Sequence, residues 1–468
     1  MMSRQDDHQR KFEFVVDELV RQSKDGRLKP GDKLPSIRKL TETYGCSKNT
    51  ILRAYAELER RHLVYAVPKS GYFLLDSTAS PSSPAPVGLP IDMRSASPEG
   101  DWMPYLDVQQ CLTQAIERYR DDLFAYGDTQ GLLTLRSTLS RHFADDQVFA
   151  KAEDIFVVSG SHQALSLLVE MPFPNGKTNV LLEQPTYFGA MQAAGVKGIT
   201  MIGIERAWDG INLEELERHF QHNNIKCFYT VSRFHNPLGC SYSKEQKQAI
   251  VKLAAKYDVY VIEDDYLADL DPDGKADPMF AYDREAHVIY VKSFSKVMLP
   301  GLRLGAVALP KKLAAAFHRY KQAADLFTPA LSQGALELYI ASGMFASHTK
   351  RLRKLYSARM SALQSACRRS LPADAAIQVP ESGVFAALAL PEQVSASRLC
   401  ERLEAEGVLT MNVDRLLLPA FRHDRMIRLS VMRANEQAID AGIKAIAQEM
   451  QKLRIAKPTN YTFREQRI

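Results

Sequence analysis

At residues 290–306 the chain reads Tyr290-Val-Lys-Ser-Phe-Ser-Lys-Val-Met-Leu-Pro-Gly-Leu-Arg-Leu-Gly-Ala306. The apolar beginning predicts a β-strand over 288–292, and the Pro-Gly pair that follows predicts a turn. Lys296 lies between the two beside serine hydroxyls, and Arg303 follows seven residues later. An amine, hydroxyls and a guanidinium together suit a ligand that carries both an aldehyde and a phosphate. Taken alone, the pattern favours a surface lysine after a strand.

Pyridoxal phosphate is a cofactor that carries both of these groups. It needs an amine for a Schiff base, which Lys296 would supply. Its phosphate dianion needs hydroxyl or cationic side chains, which Ser293, Ser295 and Arg303 would supply. The assignment depends on whether distant segments of the chain provide the remaining partners of the cofactor.

The length and composition of the chain indicate a soluble protein of several domains. A chain of 468 residues exceeds one ordinary hydrophobic core, so we expect two or three domains. No apolar run approaches the roughly 18 residues of a membrane span. The polar N-terminus lacks an apolar signal core, so we expect a cytoplasmic protein without a membrane partner. The six cysteines have no Cys-x-x-Cys spacing, which predicts neither a metal site nor a disulfide framework.

The first sixth of the chain has the pattern of a small basic module. Residues 1–76 contain 15 Lys and Arg against 11 Asp and Glu, and such an excess suggests a polyanionic partner. Apolar residues at helical spacing predict helices over 11–24, 37–44 and 48–61. The last two are separated by a tight turn at Gly45, and the second of them is basic at its start. This is a helix-turn-helix arrangement.

The third helix would present its first turns to a DNA major groove. Ser47 is a good N-cap for it, and its predicted buried stripe comprises Ile51, Tyr55 and Leu58. Three polar side chains would then be exposed: Lys48, Asn49 and Arg53. Hydroxyls and cations meet phosphates, whereas Asn, Lys and Arg reach base edges. Two short strands over 64–67 and 72–75 predict a basic wing. From the helix pattern alone, a solvated three-helix domain is an equal alternative.

Three segments of this module resemble the GntR family of bacterial winged-helix regulators. They are Leu28-Lys-Pro-Gly-Asp-Lys-Leu-Pro-Ser-Ile-Arg38, Tyr44-Gly-Cys-Ser-Lys-Asn-Thr50 and Lys69-Ser-Gly-Tyr-Phe73. The resemblance covers about residues 10–75 and implies double-stranded promoter DNA as a partner. The wing departs from the usual Arg- and Gly-rich form. The DNA contacts that the resemblance implies are Arg38, Ser47, Lys48, Asn49, Thr50, Arg53, Lys69 and Gly71.

A stretch rich in Ser, Pro and Ala separates this module from the rest of the chain. Asp76–Pro90 has no apolar periodicity, and its proline content predicts a semi-rigid linker of up to roughly 45 Å. The predicted domains are a winged helix-turn-helix domain over 9–76, a linker over 77–90, an effector domain over 91–452 and a polar tail over 453–468.

Strand-like and helical segments alternate after residue 91. The predicted strands are 155–159, 179–183, 227–231, 259–263, 288–292 and 305–309. This alternation predicts an α/β domain with a largely parallel sheet. Ligands gather at the strand ends of such sheets, and the polar motifs of this chain fall there.

Four of these motifs have the chemistry of a cofactor site. Gly160-Ser161-His162 lies between a strand and a helix, where backbone N–H groups would face an anion. Tyr187 offers a ring that can stack on a heterocycle, and Asn236 offers an amide for a phenolic oxygen. Ile262-Glu-Asp-Asp-Tyr266 ends a strand with three carboxylates, which need a cation such as a pyridinium nitrogen. Singly, these motifs are also those of a helix cap, a core aromatic and a metal site, although no His or Cys near the carboxylates has ligand spacing.

The order of the motifs resembles the fold-type-I aminotransferases over about residues 91–450. The resemblance implies that fold, with a small C-terminal α+β subdomain, and pyridoxal phosphate as cofactor. Lys296 would be the Schiff-base lysine, and Asp264 would pair with the pyridine nitrogen. The remaining contacts would be Asn236 and Tyr266 at the phenolic oxygen, Tyr187 on the ring face, and Ser161, His162, Ser293 and Arg303 at the phosphate.

The same resemblance implies a homodimer and a carboxylate site. Tyr126 would reach the phosphate bound by the partner subunit. Arg428, in Ile427-Arg-Leu-Ser430, matches the arginine that grips a substrate carboxylate. Leu238 replaces the usual Thr after Asn-Pro, and Glu381-Ser-Gly-Val384 replaces the usual Gly-Gly pair. These two departures indicate an altered substrate pocket.

A GntR-like head joined to an aminotransferase-like body resembles the MocR subfamily of bacterial regulators. The resemblance implies a PLP-dependent transcriptional regulator that senses an amine or amino-acid effector by aldimine exchange at Lys296, with the effector's carboxylate on Arg428. Two alternatives stay open. One is a working aminotransferase with an accessory DNA-binding head, because the residues for a half-transamination are present. The other is a regulator that senses pyridoxal phosphate itself.

Overall fold

The computed structural model describes residues 12, 14–22, 25, 28, 32–60, 63–67, 71–74, 90–121, 123, 125–271 and 276–455. Contacts between residues divide the chain into two units, Met1–Leu89 and Pro90–Ile468, and each has a hydrophobic core of its own. Lys69 and most of the predicted linker lie outside the described residues.

The first unit is a winged helix-turn-helix head, as the sequence predicts. Residues 14–22 are helical, and α1 (Ile37–Tyr44) and α2 (Lys48–Arg60) follow. An antiparallel ribbon of β1 (Val64–Val67) and β2 (Gly71–Leu74) forms the wing.

Local sequence sets the turn between α1 and α2. Ser36 caps α1 by accepting a hydrogen bond from the Lys39 amide at 3.2 Å. Gly45 ends α1 with φ at 58°, a left-handed conformation that glycine adopts without steric cost. The predicted stripe of α2 is buried, and the Tyr55 ring stacks on Tyr72 of the wing with centroids 4.2 Å apart. This contact fixes the second helix to the ribbon.

A seven-stranded sheet organises the second unit. Its order is β4-β10-β9-β8-β7-β5-β6, and β10 runs antiparallel to both of its neighbours. The other pairs are parallel. The strands are β4 (Ile155–Val158), β5 (Asn179–Gln184), β6 (Met201–Glu205), β7 (Ile225–Thr230), β8 (Tyr260–Asp264), β9 (Val288–Ser293) and β10 (Gly305–Ala308).

The predicted strands agree with six of these to within two residues at each end, but the prediction omits β6. This strand lies at the edge of the sheet and pairs only with β5 in the described part of the chain. Gly203 interrupts its apolar run, and its first three residues are only half-buried. A half-buried edge strand with an internal glycine has a weak sequence signal.

Eleven helices of the described second unit pack around this sheet and around the smaller sheet that follows it. The helices are α3 (Tyr105–Arg118), α4 (Leu133–Asp145), α5 (Ser161–Glu170), α6 (Phe188–Val196), α7 (Leu213–His222), α8 (Lys244–Lys256), α9 (Lys311–Asp325), α10 (Ala330–Ala341), α11 (Met344–Ser370), α12 (Ala396–Ala405) and α13 (Glu436–Ile455). The smaller sheet has the order β11-β12-β15-β14, with β11 (Ala376–Gln378), β12 (Phe385–Ala389), β14 (Met411–Asn412) and β15 (Met426–Ser430).

The chain enters the second unit beside this small sheet. β3 (Ile91–Asp92) pairs in parallel with β13 (Val408–Leu409). At the other end, α13 continues to Ile455, whereas the predicted tail begins at residue 453. Among the described residues, we find no helix with the length and apolar character needed to cross a bilayer.

Candidate functional site

The first candidate site is the exposed beginning of α2 in the head. Lys48, Asn49 and Arg53 are exposed, as predicted, and the Arg53 guanidinium lies 5.0 Å from the centre of the Phe12 ring. Arg38 is also exposed, and within the described residues it forms a surface ion pair with Glu42 at 3.0 Å, of a kind that contributes little to stability. These cations are therefore available to a polyanion.

The head residues that are predicted to contact DNA differ in how far they are exposed to solvent. Arg38, Lys48 and the exposed Gly71 of the wing border one groove, together with Lys33. Ser47 is exposed, but Thr50 is only 5% exposed and its amide donates to Ser47 Oγ at 3.2 Å. Thr50 thus belongs to the cap of α2 and has little surface to offer DNA.

The second candidate site is a pocket of about 210 Å³ at the carboxyl ends of the parallel strands. This is where open α/β sheets bind their ligands. Ten of the predicted residues line it, although they come from segments far apart in the sequence: Ser161, His162, Tyr187, Asn236, Asp264, Tyr266, Ser293, Ser295, Lys296 and Arg303.

Lys296 has the environment of a reactive amine. Burial lowers its pKa to about 8, and the positive charges of Arg428 and Arg303 act in the same direction, while Asp264 opposes them. Its Nζ donates a hydrogen bond to the main-chain carbonyl of Ala96. A lysine with this pKa is partly neutral near pH 7, as an amine that attacks an aldehyde must be.

Asp264 presents an unpaired carboxylate oxygen to the pocket. Its Oδ2 accepts a hydrogen bond from the Tyr229 hydroxyl at 2.9 Å, whereas its buried Oδ1 has no hydrogen-bond partner among the described residues. Burial raises the pKa of this carboxyl to about 7, and the charge of Asp265 adds to the effect. Leaving such an atom unpaired is costly. A ligand with a protonated ring nitrogen would pair with it.

The other two carboxylates of the predicted cluster face away from the pocket. Glu263 accepts from the amides of Met279 and Phe280 at 2.7 and 2.9 Å. Asp265 forms a buried ion pair with Arg233. The sequence prediction treats the three acids as one group that meets a cation, but the structure gives each acid its own partners. Only Asp264 is left to a ligand.

An anion cradle lies at the start of α5. Gly160 precedes the helix with φ at 84°, and a Cβ atom there would lie 2.6 Å from Arg303 Nη2, so glycine is required for this close approach. No described side chain caps α5, which leaves its first N–H groups to an anion. Ser293 is buried at the end of β9, and its Oγ accepts from the Ser295 amide at 3.3 Å. Helix N-terminus, hydroxyls and guanidinium together suit a phosphate.

Arg428 lies beside the pocket and does not line it. Its guanidinium stacks 4.4 Å above the Phe385 ring, and Nη1 donates to Asn236 Oδ1 at 3.0 Å. Nη2 donates to the main-chain carbonyl of Arg94 at 2.5 Å. Nε is buried and has no partner in the described part of the chain. Burial lowers the pKa of this guanidinium to about 10, and a carboxylate would relieve that cost.

Two family models match this chain. The model for bacterial regulatory proteins of the gntR family matches residues 11–74, and the model for aminotransferases of class I and II matches residues 100–446. The HTH-type transcriptional regulator YcxD of Bacillus subtilis is 44% identical over 420 residues, which are 89% of this chain and 94% of YcxD. The rhizopine catabolism regulatory protein MocR of Rhizobium meliloti, described as probable, is 26% identical, with 74% of this chain and 75% of that protein covered.

The chain belongs to the MocR subfamily of GntR-type transcriptional regulators. Solved aminotransferases resemble the body of this MocR protein. A kynurenine aminotransferase of Pyrococcus horikoshii superposes with a TM-score of 0.73 at 28% identity, covering 79% of this chain and 93% of that structure. This chain is thus a DNA-binding regulator with an aminotransferase-like domain.

Pyridoxal phosphate is the cofactor of the aminotransferase-like domain, and the pocket fits it. The amine of Lys296 faces the same space as the unpaired Oδ1 of Asp264, and the anion cradle at Gly160 lies across that space. These three features match the aldehyde, the ring nitrogen and the phosphate of the cofactor. When bound, the cofactor supplies an aldehyde that condenses with amines.

Six residues that line the pocket are absent from the site predicted from the sequence: Ala96, Ser97, Tyr229, Val231, Pro300 and Phe385. Tyr229 holds Asp264, and Phe385 lines the pocket and supports Arg428. Tyr229 lies inside β7, where an aromatic residue has the ordinary appearance of strand core. Only the pairing of β7 with β8, in which Tyr229 lies opposite Ile262, brings it near the strand end that carries Asp264.

One group within the described ranges has the ligand types of a metal site in this MocR protein: His142, Asp146 and Asp269. The ammonium of Lys292 lies 3.2 Å from Asp146 Oδ2 and 3.0 Å from Asp269 Oδ1. The ammonium pairs with both carboxylates at the place where a cation would bind, so the group is an ion-pair network.

Proposed function

We propose that this protein regulates transcription in response to an amine or amino-acid effector, which it senses by aldimine exchange at Lys296. The proposal is carried by the unpaired Oδ1 of Asp264 opposite an amine of lowered pKa, in a chain that also has a DNA-binding head. An effector amine would replace Lys296 on the cofactor, and its carboxylate would bind Arg428. Such a ligand regulates only if it binds two arrangements of the protein with different affinity.

We place this activity in the cytoplasm, because the proposed partner is promoter DNA. Phosphate contacts by the exposed cations of the head would supply most of the binding free energy, so affinity should fall with salt. Base readout would come from the first turn of α2, where Asn49 is exposed, and the exposed Arg53 one turn later would contact a phosphate.

Arg53→Ala is expected to weaken promoter binding by about fivefold to tenfold and to lower the salt slope by about one, since one phosphate contact is lost. Fluorescence anisotropy with DNA from the protein's own promoter region, measured between moderate and high salt, tests this. Arg319→Ala is the matched control, because Arg319 is an exposed arginine of the other unit. Equal affinity for Arg53→Ala and wild type would contradict the assignment of α2.

A homodimer is part of the proposal. Tyr126 is 88% exposed, does not line the pocket of its own chain, and packs edge-on against Phe327 at 6.2 Å. Its exposure suits a hydroxyl that reaches the phosphate bound by the partner subunit. A cluster of exposed apolar side chains on α3, among them Tyr105 and Leu106, suits a subunit interface.

Tyr126→Phe is expected to lower the affinity for pyridoxal phosphate by about tenfold, because one hydrogen bond to a charged group is lost. Titration of cofactor-free protein at concentrations where its mass in solution is twice 52.6 kDa tests this. Tyr320→Phe removes the hydroxyl of a half-buried tyrosine on α9 that does not line the pocket, and serves as control. A monomeric mass, or equal affinity for Tyr126→Phe and wild type, would count against the shared site.

The complete cofactor set also supports a second function, a working aminotransferase with an accessory head. Steady turnover of an amino donor and an oxoacid would favour it, whereas a single stoichiometric exchange favours the sensor. A regulator that senses the cofactor itself would respond to pyridoxal phosphate alone and ignore added amines. Recording promoter affinity and cofactor absorbance in one amine titration separates the three.

A further inference from the structure

Four consecutive main-chain carbonyls, of residues 94–97, are held by four side chains, and the last two of these residues line the Lys296 pocket. We name residues 94–97 the carbonyl strap. The pairs are Arg94 O with Arg428 Nη2, Ser95 O with Ser430 Oγ at 2.6 Å, Ala96 O with Lys296 Nζ, and Ser97 O with Arg433 Nε at 3.2 Å. The strap is thus tied both to the Schiff-base lysine and to the arginine proposed for the effector carboxylate.

The strap is also the start of the second unit. It follows β3 directly, and the predicted linker over 77–90 precedes β3 in the sequence. Asp92 Oδ1 accepts from the amides of Arg94 and Ser95 at 3.0 and 2.9 Å, which ties the strap to β3. Any shift of the strap is therefore passed to the segment that leads to the head.

The two ends of the strap depend on different chemistry at the site. Lys296 holds the Ala96 carbonyl as a free amine. Condensation with the cofactor's aldehyde would release water and leave the Lys296 nitrogen at most one hydrogen, which the cofactor's own phenolic oxygen would accept, so the bond to Ala96 would be lost. If an effector amine took the place of Lys296, two hydrogens would pass from the effector's nitrogen to Lys296, which could then donate again. Arg428, in contrast, responds only to an acceptor stronger than the Arg94 carbonyl, and a carboxylate is such an acceptor.

We infer that the carbonyl strap distinguishes an amine that carries a carboxylate from an amine that does not, and passes this difference to the linker. An amine alone would restore the bond from Lys296 to Ala96. A carboxylate on the same molecule would also displace the Arg94 carbonyl from Arg428, so the strap would be released at one end and held at the other. This inference rests on the proposed function, since it requires exchange at Lys296.

Two hydroxylamine probes separate the two effects in the full-length, cofactor-loaded protein. Aminooxyacetate and O-methylhydroxylamine both condense with the cofactor's aldehyde through nitrogen and free Lys296, but only aminooxyacetate carries a carboxylate. Cofactor absorbance follows the condensation, and hydrogen–deuterium exchange of the amides in residues 93–97 follows the strap. We expect exchange to rise at least about threefold with aminooxyacetate over O-methylhydroxylamine, because one hydrogen bond is lost.

The outcomes are distinct. An absorbance change with both probes but equal exchange would overturn the inference and leave the proposed function standing. No absorbance change with either probe would overturn the proposed function and this inference with it.

Ser430→Ala tests the strap without touching the pocket lining. Loss of the bond to the Ser95 carbonyl should raise amide exchange of residues 93–97 about fivefold in the loaded protein before any probe is added. The rate of probe condensation should be unchanged, while the effect of aminooxyacetate on promoter affinity should shrink. Ser361→Ala, which removes an exposed helix hydroxyl, is the control. Wild-type exchange in Ser430→Ala would overturn the role of the strap.

Discussion

Replacing Lys296 by alanine is expected to abolish the Schiff-base absorbance and every response of promoter binding to an effector. Lys296 is the only lysine that lines the described pocket, so no other amine there can take over the condensation. The DNA-binding head contains none of the residues that line the pocket, so promoter binding itself should persist. Loss of the response with retention of DNA binding would place Lys296 in sensing.

The lowered pKa of Lys296 predicts how cofactor capture depends on pH. The neutral amine attacks the aldehyde, and with a pKa of about 8 roughly a tenth of it is neutral at pH 7. Below pH 8 the neutral fraction falls as the amine is protonated. The rate of absorbance gain on mixing cofactor-free protein with pyridoxal phosphate should thus rise about tenfold from pH 6 to pH 7 and level off above pH 8.

Stopped-flow absorbance on wild type and Lys296→Ala measures both effects. Lys311→Ala is the matched control, because Lys311 is an exposed lysine at the start of α9. Continued promoter response to an amine in Lys296→Ala would show that the effector binds without exchange. A rate that keeps rising to pH 10 would show that Lys296 has the pKa of an ordinary lysine.

The cofactor site could be predicted largely because its parts are local motifs at strand ends. Each of these motifs follows an apolar run that by itself predicts a strand. They are Gly160 between a strand and a helix, Asp264 at the end of β8, and Lys296 after β9. A parallel sheet then brings these ends to one edge. The order of the motifs therefore carried the prediction of the fold and of the pocket together.

The connections between the motifs could not be predicted, because they depend on contacts far apart in the sequence. The sequence around Arg428 predicts a guanidinium that is free to bind a carboxylate. In the structure this guanidinium donates to the main-chain carbonyl of Arg94, and no side-chain pattern predicts a contact with a backbone atom. The acids of residues 263–265 are neighbours in the sequence, but alternation along the strand and the loop after it send them to different partners.

Asp264→Asn is expected to weaken the binding of pyridoxal phosphate by about tenfold to a hundredfold, because a charge-assisted bond to the ring nitrogen is replaced by a neutral contact. The amide keeps an oxygen for the Tyr229 hydroxyl, so the geometry of the pocket should survive. Exchange of an amine at Lys296 should also slow, since an unprotonated ring withdraws electrons less strongly. Equilibrium titration of cofactor-free protein gives the affinity.

The same substitution should stabilise the cofactor-free protein, and the sign follows from the direction of the pKa shift. Burial raises the pKa of Asp264 from 3.8 to about 7. The ionised group therefore destabilises the fold fully above pH 7, and this penalty disappears as pH falls towards 3.8. Its size is on the order of 4 kcal/mol as an upper bound. Asparagine has no charge to bury, so cofactor-free Asp264→Asn should unfold at higher denaturant than wild type at pH 8.

Opposite effects on stability and on cofactor binding separate a cofactor-binding carboxylate from a structural one. Removing a structural acid would lower both the stability of the cofactor-free protein and its affinity for the cofactor. Removing an acid whose Oδ1 pairs only with the ligand would raise that stability and lower that affinity. Urea unfolding of the cofactor-free and loaded forms at pH 5 and pH 8, with the exposed Asp209→Asn as control, measures both. A cofactor-free Asp264→Asn protein less stable than wild type at pH 8 would show that Oδ1 has a partner within the fold, and the pairing with the ring nitrogen would then be wrong.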